Sequence, residues 1–190
     1  MNPTTEKQDA ILSDTIDILK TRIPVPFSEI RLDSVVVGVF FTGVKLSSGY
    51  GGICFTPVDL IPEAVCCSTA ASAMPYCGKM QGVSVEDMLT HMSSPAPLVR
   101  AVIISVVNAL SAWFFDICPE GTYAIEHDKD AFDLLDTIDP ATPVVVVGAL
   151  WPVIHRLKLR GAQYRLFELN KGALREEELP FFVPPEEQNV

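Results

Sequence analysis

Residues able to hold a metal ion are scattered along this chain. Cys66, Cys77 and His91 lie in or near one irregular stretch, and thiolates and imidazoles are the donors that soft and borderline transition metals prefer. His155 stands apart, on the first turn of a helix that follows Gly148, a place from which it can act as a ligand or as an acid and base. The spacing is not that of a preformed zinc site. No CxxC or HxxxH accompanies these residues, and the adjacent Cys66 and Cys67 can seldom both reach one ion. Cysteine is also among the most commonly buried residues, so a structural role for the thiols competes with a ligating one. The run Glu126 to Asp130, EHDKD, can hold a hard or borderline cation or form a solvated loop. A transition metal ion is the cofactor that such donors suggest. No GxSxG, GxxxxGK[ST] or HExxH motif is present, so no catalytic residue is assigned. Cys77 with His91 would make a nucleophile and base only if the fold joined them.

A second group surrounds Gly148. In PVVVVGALWPVIHRLKLRGAQYRLFE, Pro143 to Glu168, four valines form a short apolar run that reads as a strand covered on both faces. Gly148 turns the chain at its carboxyl end. Pro152 suits the first turn of a helix whose apolar side is Ile154, Leu157 and Leu159. Gly161 fits the position just past its end. The following strand, Tyr164 to Leu169, carries Glu168 twenty residues after Gly148, where a Rossmann-type βαβ unit reaches a ribose hydroxyl. A dinucleotide fingerprint needs three glycines. Here Gly148 is followed by Ala149, Leu150 and Trp151, and an indole at Trp151 fills the crevice a phosphate would need. A structural turn at Gly148 with a solvated Glu168 is the competing reading.

The elements that position these groups follow from periodicity. Thr4 or Thr5 can cap a helix running to about Arg22, with Ile11, Leu12, Ile16 and Leu19 at helical spacing. From Asp33 the run SVVVGVFFTGVKL reads as a strand, and Gly52 to Thr56 as its antiparallel partner after a glycine-containing turn. Val58 to Gly82 lacks periodicity and is the length of a binding loop or lid. Ser84 and Asp87 form a weak capping box for a helix to Met92. Leu98 to about Phe114 is a helix apolar almost all round, and therefore buried. Asn108 lies inside it, and a buried amide there either ties down backbone or points into a site. A short helix over Asp130 to Leu135 introduces the βαβ unit.

At 190 residues, 48% of them hydrophobic, the chain has room for one substantial domain or two small ones and is not disordered as a whole. A formal charge of −10 argues against nucleic acid, and much of the acidity, Glu176 to Glu178 with Glu186 and Glu187, reads as a solvated tail. Leu98 to Phe115 is broken by Arg100, Ser105, Asn108 and Ser111, which fits a core helix better than a membrane span. With a polar N-terminus and five cysteines lacking a CxxC pair, a cytoplasmic location is expected.

The segments VVVGVFFTGVKLSSGYGGICFTP, GVSVEDML, PLVRAVIISVVNALSAW and PVVVVGALWPVIHRLKLRGAQYRLFELN, in this order, resemble the family named for a heavy-metal chelation domain. The resemblance runs from about Ile11 to Phe182. It implies an α/β chain with an α+β, enolase-N-terminal-like domain over residues 1–118, a connection over 119–129, and a partial Rossmann-like domain with an acidic tail over 130–190. It also implies a role in handling metal or a metal-binding small molecule in a cleft between the domains, for which Asn108, Gly148, Ala149, Trp151 and Glu168 are the expected ligand-binding residues. Two alternatives are an enzyme using a nucleotide-like cofactor in that crevice and an oligomeric assembly module. Family members continue for several strands beyond the segment matching Leu179 to Glu187, so an incomplete sheet, and with it a homo-oligomer, is expected.

Overall fold

The computed structural model describes residues 3–57, 74–118 and 128–188, in two compact units, Met1–Glu120 and Gly121–Val190. The architecture is mixed α/β, with an antiparallel sheet in the first unit and a parallel sheet in the second.

In the first unit, helix α1 (Pro3–Arg22) precedes three strands, β1 (Leu32–Val37), β2 (Phe41–Leu46) and β3 (Gly51–Phe55). The run expected to be a single strand is two, because the chain reverses at Gly38, whose N–H donates to the Phe41 carbonyl at 2.9 Å. A Cβ on Gly38 would stand 2.8 Å from that same carbonyl oxygen, so only glycine closes the turn without displacement. Phe41 to Lys45 then pair with Phe55 to Gly51, which makes an antiparallel meander. Helix α2 (Val85–Leu89) starts where expected: the Ser84 Oγ accepts from the Asp87 N–H at 3.0 Å and donates to the Asp87 carboxylate at 2.6 Å.

Helix α3 (Pro97–Ile117) lies on β2 and β3, and nine of its 21 residues are buried. The contact is close because of Gly52. A Cβ there would fall 2.2 Å from the Ser105 carbonyl oxygen and 2.3 Å from the Ala109 nitrogen, both backbone atoms of α3. Alternation along β2 sends Thr42, Val44 and Leu46 to the helix side, while Phe41 stays exposed, as do Ile53 and Phe55 of β3. Tyr50, in the β2–β3 turn, stacks on Trp113 at 5.7 Å and hydrogen-bonds Asp116, fixing the far end of α3.

In the second unit the expected short helix is a 3₁₀ segment, Ala131–Thr137, capped by Asp130. Strand β4 (Val144–Val147), helix α4 (Trp151–Leu159) and strand β5 (Tyr164–Phe167) form a βαβ unit with β4 and β5 parallel and in register. A two-residue strand, β6 (Phe182–Val183), extends the sheet in the order β4-β5-β6. Gly148 and Gly161 both adopt positive φ, 88° and 63°, as their turn positions demand. Two expectations are corrected. The valine run is covered on one face only, since Val146 is buried whereas Val145 and Val147 are 50% and 68% exposed. On α4 the buried stripe is Val153, Ile154 and Leu157; Leu159, two residues past Leu157 and so about 200° around the helix, faces solvent.

Candidate functional site

The polar residues of α4 sort by the direction in which each leaves the helix. Arg156 turns to the preceding segment and pairs with Asp133 at 2.9 Å and Asp136 at 3.8 Å. Arg160 donates to the Ile138 carbonyl at 2.7 Å. His155 and Lys158 turn the other way, into a groove of about 300 Å³ that Trp151, Arg175, Glu177 and Glu178 also line. The Arg175 guanidinium lies 4.2 Å from the centre of the Trp151 ring, a cation–π contact that fixes one wall.

The opposite wall comes from a 3₁₀ segment, Glu176–Phe181. Glu178, expected in a solvated tail, is 1% exposed. It is hydrogen-bonded to Lys158 through Oε1, and Lys158 also reaches Glu177 at 3.3 Å. The bond to Glu178 raises the Lys158 ammonium above its usual range. Glu178 Oε2 has no partner, nor does the hydroxyl of Tyr164, which is buried at the start of β5 and stacked on Phe181 at 4.4 Å. Burial, first, raises the Tyr164 phenol above its ordinary value. Acidic residues in threes usually mark solvent-facing chain; the available signal was the aromatic Phe181 just after them, which stacks on Tyr164 of β5 and holds the segment to the sheet.

Glu168, just beyond β5, accepts from the Ala149 N–H at 2.9 Å and from the Asn170 N–H at 2.9 Å. A carboxylate of the chain itself therefore takes the Ala149 amide that a bound phosphate would use. Asn108 is exposed, not buried, and its amide donates to the Ile53 carbonyl at 2.7 Å, satisfying an outward group of β3. Of its two expected roles it performs the backbone one. Asn108 belongs to the first unit and Gly148, Ala149, Trp151 and Glu168 to the second.

Cys66 and Cys67, with Glu126 and His127, lie outside the described residues. Cys77 is exposed, and the ring that meets His91, edge-on at 5.7 Å, is that of its neighbour Tyr76. Cys54, Cys77 and Cys118 are free thiols, and burial raises that of Cys54, which disfavours its thiolate. Among the described residues no three His, Cys, Asp or Glu side chains converge as a metal site. His155 and Glu177 are the solvent-reaching donors of the groove, fewer than the four a tetrahedral ion takes from a closed site.

Two family models match the chain, both described as "putative heavy-metal chelation": DUF4213 over residues 17–111 and DUF364 over residues 130–190. Among solved structures the chain is similar to a protein with unknown function from the DUF364 family of Pyrococcus horikoshii, at 16% identity and a TM-score of 0.56, over 92% of this chain and 60% of that one. It is similar also to a DUF364-family protein with unknown function from Desulfitobacterium hafniense DCB-2, at 12% identity and a TM-score of 0.58, over 92% of this chain and 62% of that one. At these identities the likeness is one of fold, and the chain spans about three fifths of the length of those structures. No curated protein matches.

Proposed function

The chain belongs to the family described as "putative heavy-metal chelation", and from that membership we propose that it binds a metal as a small-molecule chelate, in the groove beside α4. The observation that carries this reading is the composition of the groove. His155 and Glu177 can complete a coordination sphere that the chelator has mostly filled, and Arg175 complements the carboxylates that chelators carry. Trp151, with Pro152 beside it, supplies an apolar surface for the organic part of the ligand. We also propose the enolase-N-terminal-like and Rossmann-like names for the two units, a cytoplasmic location and a homo-oligomeric state. Sedimentation velocity at two concentrations tests the last of these, and a concentration-independent monomer retires it.

The test of the chelate reading uses protein purified without a metal-affinity step, dialysed against nickel(II) salt or against nickel(II) bis(glycinate) and assayed for nickel. Stoichiometric uptake from the chelate, weakened in His155→Ala and Arg175→Ala, is the expected result. Tighter uptake from the bare salt, abolished by Cys66→Ala or Cys77→Ala, would replace it with direct chelation by thiols. Uptake from neither sinks it.

A further inference from the structure

The face of the meander turned away from α3 is apolar and shaped in two rows. Phe41 pairs with Phe55 across β2 and β3, their rings edge to face at 6.5 Å. The next row, two residues further along β2 and β3, is Val36, Gly43 and Ile53, in register across all three strands. With Gly43 between two branched side chains this row is a trough, part of a hollow of about 330 Å³ that Lys45 and Gly51 also line. Val36, Phe41, Ile53 and Phe55, with Val39 and Phe40 of the adjoining turn, are each 57–69% exposed. Together they present roughly 600 Å² of apolar side chain. That is the upper end for the largest patch of a monomer, and it approaches the roughly 800 Å² that each partner gives to a standard interface.

We propose that a second copy of the chain covers this face, in a two-fold dimer joined through the first units. The proposal rests on the homo-oligomeric reading and assigns it a surface. A two-fold interface needs a surface that complements itself. Here a ridge, Phe41 with Phe55, and a trough, at Gly43, adjoin on one face. When the axis lies between the two sheets and crosses the strands between these rows, each copy's aromatic row stands over the other's glycine row. Sheets packed face to face in this way lie about 10 Å apart. Charge permits the approach. The chain carries a formal −10, and such a charge opposes self-association. The three strands, however, hold one acidic side chain, Asp33, and one basic, Lys45, which are 3.7 Å apart. The face is therefore a neutral area on an acidic molecule, where two copies meet at least electrostatic cost.

Sedimentation velocity of the full chain, unaltered and as Phe41→Glu and Gly43→Val, tests the surface, with far-UV circular dichroism to check that each variant is folded. The unaltered chain is expected to dimerise as its concentration rises. Both variants should weaken the dimer at least about tenfold, one by placing a charge in the ridge and the other by filling the trough. Gly43→Val is the sharper of the two. A Cβ at that position meets the Ile53 side chain at 3.7 Å, an ordinary contact, and the change adds apolar surface, so adhesion without shape would grow. Stronger or larger association in Gly43→Val therefore overturns the proposal, and either variant decides the matter should the other fail to fold. A dimer that the variants leave intact overturns the assigned face but keeps the homo-oligomeric reading. A concentration-independent monomer removes both. If that monomer binds an anilinonaphthalene dye that Phe41→Glu does not, the face belongs to a different apolar partner.

Discussion

Tyr164 holds a buried hydroxyl with no partner, so in the unliganded protein its removal should not weaken the fold. Tyr164→Phe is expected to leave stability at neutral pH unchanged or raise it by about 1 kcal/mol, read as the urea midpoint. The pH dependence has a definite sign. Burial holds the folded phenol above its ordinary 10.0, so the stability it contributes is complete below pH 10 and is lost as pH rises through the folded value. Lys158, also raised by its bond to Glu178, adds a loss in the same direction. The urea midpoint should therefore fall above pH 10, less steeply in Tyr164→Phe. His155, exposed on α4, should tolerate alanine within about 0.5 kcal/mol while nickel-chelate binding weakens, which separates a site residue from a structural one. At this scale the sequence revealed the turn glycines and the Ser84 cap, whose roles depend on their neighbours in the chain. It concealed Glu178 and the true task of Glu168, because each is defined by a partner about twenty residues away, Lys158 for one and Ala149 for the other.

Gly52 is where two elements come nearest. Because the atoms a Cβ would meet are backbone of α3, no side-chain rotation relieves the clash, and Gly52→Ala is expected to cost about 3 kcal/mol. Its urea midpoint checks this. Gly148→Ala should cost less, about 1–2 kcal/mol, since there the penalty is backbone strain at positive φ in open space. The helices were legible: α1, α3 and α4 appear within a few residues of their expected bounds, since a helix is specified by periodicity within one segment. Strands were less so. The valines of β4 looked doubly covered because apolar composition states what a residue tolerates, whereas Val145 and Val147 are exposed in the fold. The break at Gly38 was lost within a run of β-formers on both sides.

On the scale of the whole chain, each unit has a hydrophobic core of its own. One is built around α3 with α1 and the meander, and the other around α4 with β4 and β5. Calorimetry is expected to resolve two transitions, with Gly52→Ala lowering one and Gly148→Ala the other; a single transition displaced by both would contradict this. The mixed α/β class was readable in the sequence because an antiparallel hairpin followed by a βαβ unit leaves a distinct order of periodicities, although the hairpin is a three-stranded meander in the fold. A ligand leaves no comparable trace, and the groove is assembled from α4 and a 3₁₀ segment that pattern alone reads as tail. Helix α3 is long and apolar enough to cross a membrane by length and composition, yet half of that apolar window is buried against its own unit. Its place in the chain then matters during synthesis. The packing partners α1, α2, β2 and β3 all precede α3, so each of these four has left the ribosome before it does. A nascent chain that elongates at about 5–20 residues per second thus releases this apolar helix after the four elements of its own unit that pack on it are already translated.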